Sequence, residues 1–72
     1  MLVASIVVET LPGKARIVAE HIGRIKGMTS PTPDGDHRVT ATWTIPENDK
    51  LEGLSEVLRA MNPEIVDVHY QL

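Results

Sequence analysis

Three histidines, His21, His37 and His69, are the side chains best suited to move a proton or hold a metal near neutral pH. They fall on different segments, and none forms a His-x-x-x-His pair that one helix could aim at an ion. His21 and His37 therefore read as ordinary surface histidines, whereas the parity of the last apolar segment sets His69 on an open face. Glu9 and Asp67 are the best carboxylate pair for acid–base work on that face. Nothing in the pattern buries either one, so both read as surface carboxylates. Thr10-Leu11-Pro12-Gly13-Lys14 begins a helical pattern but lacks the full glycine and lysine set of a phosphate loop. Ser5, Ser30 and Ser55 have no Gly-x-Ser-x-Gly context for a nucleophile. The absence of cysteine removes disulfides, thiolate metal sites and thiol catalysis. The expectation is a non-enzyme with no catalytic residue, no metal and no cofactor.

The elements that position these groups follow from periodicity. Leu2 to Glu9 is β-branched and nearly continuously apolar, a central strand with Ala4, Ile6 and Val8 on one face and Val3, Ser5 and Val7 on the other. Pro12 suits a first helical position, and Ala15, Val18, Ala19, Ile22 and Ile25 recur at helical spacing. Gly27 then closes a helix predicted over Pro12 to Lys26. Met28 to Pro33 carries two prolines and is at most a short edge strand. Asp34-Gly35-Asp36 has hairpin-turn chemistry. His37 to Ile45 alternates, with Val39, Ala41, Trp43 and Ile45 inward and Arg38, Thr40, Thr42 and Thr44 outward.

Pro46 stops that strand, and Asp49 with Glu52 resembles a capping box. Leu51, Leu54, Val57, Leu58 and Met61 form the stripe of a second helix, ended by Asn62-Pro63. Ile65 to Leu72 is the final strand, with Val66, Val68, Tyr70 and Leu72 inward and Asp67, His69 and Gln71 outward. The order βαββαβ, with right-handed crossovers, predicts an α+β, ferredoxin-like sandwich: a four-stranded antiparallel sheet with both helices on one face. Charge follows the helices. Lys14, Arg16, Arg24 and Lys26 make the first basic, while Glu47, Asp49, Glu52 and Glu56 make the second acidic.

Bulk properties bound the function. Residues 1–72 read as one domain, 42% apolar and 24% charged, too apolar for disorder. A chain of this length has little room for a deep catalytic cavity. No apolar run approaches the roughly 20 residues of a membrane span, and the opening Leu2–Val8 run reads as strand rather than as a leader. A net charge of −3 argues against a general nucleic-acid binder. An RNA-recognition domain stacks bases on central-strand aromatics, but this chain has no Phe, and Trp43 and Tyr70 have inward parity. A heavy-metal domain needs paired cysteines. In an acylphosphatase-like enzyme the phosphate-loop arginine follows the first strand directly, and Arg16 lies too far into the helix.

The remaining feature is the helix-free face, lined by Val3, Ser5, Val7, Glu9, Arg38, Thr40, Thr42, Thr44, Ile65, Asp67 and His69. Ser5-Ile6-Val7-Val8, Pro12 at the helix start, and Ile22 to Gly27 followed by a turn and Gly35 carry a resemblance. So does the closing Val66-Asp67-Val68-His69-Tyr70-Gln71. Together these resemble the NapD family, small chaperones of the periplasmic nitrate reductase catalytic subunit. The chain departs from the family in its proline-broken second strand and in Lys26, where the family often has proline. The resemblance implies a cytoplasmic chaperone that binds the reductase's twin-arginine signal peptide and delays export until the molybdenum cofactor is inserted. The peptide would lie on the open face over Val3, Ser5, Val7, Arg38, Thr40, Thr42 and His69, with Glu9 and Asp67 taking its arginines. It implies no stable membrane insertion and leaves the oligomeric state open. The alternative from another class is an ACT-like regulatory or dimerisation module, holding a small ligand at a strand edge and a helix end.

Overall fold

The structure, a computed structural model, describes residues 2–45 and 51–71, without the side chains of Leu2, Ile45, Leu51, Glu52 and Leu54. The order is β1 (Leu2–Thr10), α1 (Ala15–Ile22), β2 (Met28–Pro33), β3 (Arg38–Ile45), α2 (Leu51–Met61) and β4 (Ile65–Gln71). The strands form one antiparallel sheet in the order β2-β3-β1-β4, which is the ferredoxin-like arrangement. Pro46 and the Asp49 capping box lie outside the described residues.

Alternation in β1 and β3 does what their sequences dictate. Ala4, Ile6 and Val8 pair with Trp43, Ala41 and Val39, and all six are buried. From α1, Ala15, Val18, Ala19 and Ile22 pack onto them; among the described residues Leu58 of α2, Met28, Ile65 and Val68 join the same core. The helix-free face therefore carries the other parity.

Helix α1 is shorter than Pro12 to Lys26. Lys14 N–H donates to Leu11 O at 3.1 Å, and Gly13 has φ +78°, so Pro12 and Gly13 occupy the two central positions of a turn rather than the first helical turn. At the other end, Arg24 and Ile25 donate to His21 O and Ile22 O, three residues back, and the helix tightens out of existence after Ile22. Gly27 is left-handed, as its residue type suggested, but the turn it closes is Ile25–Met28, with Met28 N–H on Ile25 O at 3.1 Å.

That glycine is required twice over. Its φ is +91°, and a Cβ there would lie 2.3 Å from Thr44 O, the carbonyl of the residue whose N–H takes Gly27 O at 2.9 Å. Gly35, at φ +78°, has nothing within 4 Å of the same position. Gly35→Ala should lose only the left-handed penalty, about 1–2 kcal/mol. Gly27→Ala should lose clearly more, since the β2–β3 pairing must open to admit the methyl. Chemical denaturation of the two variants side by side measures the difference; equal losses would contradict the close approach.

β2 is the edge strand that its prolines permit. Ser30 and Pro31 together oppose Ala41 in a bulge between Thr29 and Thr32, and Ser30 adopts φ +53°. Four positions assigned inward are instead exposed. In α2 the buried line runs through Leu58 and on to Asn62, so Val57 and Met61 sit on its flank, 50% and 57% exposed. In β4 the register slips between Glu9 and Thr10: Asp67 pairs with Glu9 but Ile65 with Thr10. The slip makes Val66 the extra residue and turns it outward, while Ile65, assigned to the open face, turns into the core. Tyr70 keeps inward parity opposite Ile6, yet on the outermost strand it remains 38% exposed.

Asn62, just past α2, is buried and binds across to α1, its Oδ1 accepting from His21 Nδ1 at 2.8 Å. Among the described residues this contact links the two helical segments and no ion pair joins α1 to α2; Glu47, Asp49 and the Glu52 side chain lie outside them.

Candidate functional site

Register places the open-face residues in rows across the strands. One row is Asp67–Glu9–Arg38, the next His69–Val7–Thr40–Thr32, and the third Gln71–Ser5–Thr42–Thr29. Val3, paired with Thr44, extends the face beyond the third row. One end of the face is thus charged, and the rest is mostly threonine, serine and valine, with His69 and Gln71 along the β4 side. Thr29 and Thr32 join it through β2, with Thr29 Oγ1 donating to Thr42 O at 3.1 Å. The sequence pattern missed both, because the prolines hid which β2 residues keep the parity.

At the charged end His69 Nε2 lies 3.4 Å from Glu9 Oε2 and 3.5 Å from Asp67 Oδ2. The ligand atoms of Glu9, Asp67 and His69 all fall within 4.8 Å of one another. These residues are the convergence that histidine spacing alone did not reveal, since they come from two strands paired in space. Two arginines already answer the carboxylates. Arg59 Nη2 donates to Asp67 Oδ1 at 2.6 Å, and Arg38 Nη2 sits 3.9 Å from Glu9 Oε1. Each carboxylate therefore spends one oxygen on an arginine and turns the other toward His69. With both carboxylates already paired to arginine, the cluster reads as an ion-pair network rather than a metal-ligand set.

Arg59 is the functional neighbour that the sequence did not disclose. It comes from α2 and reaches Asp67 on β4, eight residues on, because Asn62-Pro63 reverses the chain tightly enough to bring the helix end beside the strand start. Asp67 is held further by the Val68 N–H, 2.9 Å from Oδ1. That backbone bond first, and Arg59 second, lower its pKa below the ordinary carboxylate value.

A depressed folded-state pKa contributes stability above the unfolded value, about 3.9, and loses it as pH falls through the lowered one. Asp67→Asn keeps an acceptor for Val68 but cannot titrate. Its melting temperature should fall short of the parent's at pH 7, and the gap should close as pH drops below about 4. Thermal melts at several pH values read this directly; a gap that persists unchanged at low pH contradicts the assignment.

On the opposite side of the molecule, a shallow depression of about 790 Å³ lies between α1 and the β2 edge, lined by Arg16, Glu20, Arg24, Pro31 and Pro33 among others. No family model, curated protein or solved structure matches this chain.

Proposed function

We propose that this protein is a non-enzymatic chaperone whose open sheet face binds the twin-arginine signal peptide of a periplasmic molybdoenzyme, of the nitrate reductase catalytic-subunit kind. The peptide would be held in the cytoplasm until the cofactor is in place. One observation carries the reading: the helix-free face has a carboxylate-bearing row at one end and valine, serine and threonine across the rest. A twin-arginine peptide has the matching order, a basic pair followed by an apolar stretch. The resemblance of Ser5–Val8, Pro12, Gly27 and Val66–Gln71 to the NapD family supports the same partner.

In this reading a peptide guanidinium takes the carboxylate oxygens of Glu9 and Asp67 that now face His69, while Arg38 and Arg59 keep the other two oxygens in place. The apolar stretch covers Val7, Val3 and the threonine rows. Among the described residues no helix is long and apolar enough to cross a membrane, so capture on the sheet calls for no insertion. Titration calorimetry with a synthetic signal peptide tests it. Saturable binding is expected, weakened roughly tenfold or more when both peptide arginines become glutamine. A peptide that binds equally well without its arginines would remove the role of the charged row.

A second reading is favoured by the depression beside α1. It runs along α1 beside the β2 edge and carries two arginines against one glutamate, a setting for the small ligand of an ACT-like module. Thermal shifts induced by amino acids, lost in Arg16→Ala, would support it over the chaperone.

A further inference from the structure

The two edges of the sheet are unlike. β2 is closed to pairing by Pro31, Pro33 and the Ser30 bulge. β4 has no proline, and its exposed residues include Val66 and Tyr70. Its free backbone groups can be assigned. Thr10 N–H donates to His37 O, on the β3 side of β1. Alternate residues Glu9, Val7 and Ser5 therefore face β4, and their partners Asp67, His69 and Gln71 bond inward. Val68 and Tyr70 then turn N–H and C=O to the outside. The Val68 N–H taking Asp67 Oδ1, rather than a β1 carbonyl, agrees with that direction.

We propose that β4 pairs antiparallel with β4 of a second copy of this chain, about a two-fold axis through Val68. Among the symmetric registers only this one pairs all seven residues, Ile65 with Gln71 through Gln71 with Ile65. It also matches side chains: Asp67 stands opposite His69 of the second copy, a contact that occurs twice. Moving the axis to residue 67 sets Asp67 against Asp67, and moving it to residue 69 sets His69 against His69. Charge complementarity therefore selects the same register as overlap does. In the single chain Asp67 Oδ1 covers the Val68 N–H. Pairing passes that N–H to the Val68 carbonyl of the second copy and turns the carboxylate toward the second copy's His69. The sheet becomes eight-stranded with its open faces continuous. The interface shares Asp67 and His69 with the charged end of that face.

Sedimentation equilibrium of the parent chain should show a concentration-dependent dimer. Tyr70→Pro removes an outward N–H at an exposed edge position, where proline is tolerated by the fold. It should weaken the dimer at least tenfold while circular dichroism stays that of the parent. Register is read separately, using the absence of native cysteine. Directly opposed residues at a non-hydrogen-bonded site lie about 4.5 Å apart at Cα, within disulfide range. Oxidising a mixture of Asp67→Cys and His69→Cys chains should therefore give a cross-linked heterodimer, with little from either chain alone. A parent chain that stays monomeric at roughly millimolar concentration would overturn the proposal. So would a dimer indifferent to Tyr70→Pro, or one that cross-links through Asp67→Cys alone.

Discussion

Trp43→Ala should lose about 3–5 kcal/mol of stability, a large share of the roughly 4–11 kcal/mol expected for a chain of this length, and should lower the denaturation midpoint steeply. The indole is 5% exposed, in the core cluster with the central-strand residues and the α1 stripe. Two further contacts make it more than filler. Its Nε1–H donates to Lys26 O at 3.3 Å, and Cδ1 lies 3.4 Å from where a Cβ on Gly27 would stand. Truncation thus empties the core and releases the turn that delivers the chain from α1 into β2. Trp43→Phe separates the two, keeping most of the packing and losing only the bond to Lys26, about 1 kcal/mol. Because Trp43 is the only tryptophan, unfolding should be followed by circular dichroism rather than by fluorescence. An alanine variant with the parent's denaturation midpoint would mean that the indole does not hold this core together.

The second large effect concerns binding. Val7→Glu should weaken capture of the signal peptide by more than about 100-fold, because it sets an ion beneath an apolar segment where its hydration cannot be replaced. Val7 stands between Thr40 and His69 in the middle of the helix-free face, so the fold should barely register the change. Glu9→Gln and Asp67→Asn should cost less, about tenfold or below, since each removes one charge-assisted bond and leaves the neighbouring acid in place. Calorimetry on the three variants gives the order directly. A Val7→Glu chain that binds like the parent would take the apolar contact away from this face.

Much of the architecture was legible because period and parity agree along β1 and β3. A strand reading Ala4-x-Ile6-x-Val8 beside Val39-x-Ala41-x-Trp43 leaves one choice of inner face, and that choice defines the outer one. Legibility failed where geometry departs from strict alternation. One extra residue at Val66 reversed Ile65 and exposed Val66, and no residue type at that point signals a bulge. The helix start was misjudged because Pro12-Gly13 fits both a first helical turn and a reverse turn. The Lys14 to Leu11 hydrogen bond, not the sequence, decides between them. Of the candidate site, parity supplied Val3, Ser5, Val7, Arg38, Thr40 and Thr42. It also placed Glu9, Asp67 and His69 on one face, but their convergence to within 4.8 Å depends on pairing β1 with β4. Arg59 was invisible for a related reason: helix and strand meet through a reversal whose tightness only the fold reveals.

The central claim is that the partner lies on the open sheet face, and amide shift mapping tests it most directly. A uniformly 15N-labelled chain titrated with unlabelled signal peptide should show its largest amide shifts at Ser5, Val7, Glu9, Thr40, Thr42 and His69. Residues of the helical face, such as Arg16, Glu20 and Glu56, should hold still. Shifts concentrated on Arg16, Glu20 and Arg24, with the β1 and β3 rows unmoved, would place the ligand in the depression beside α1 and contradict the account.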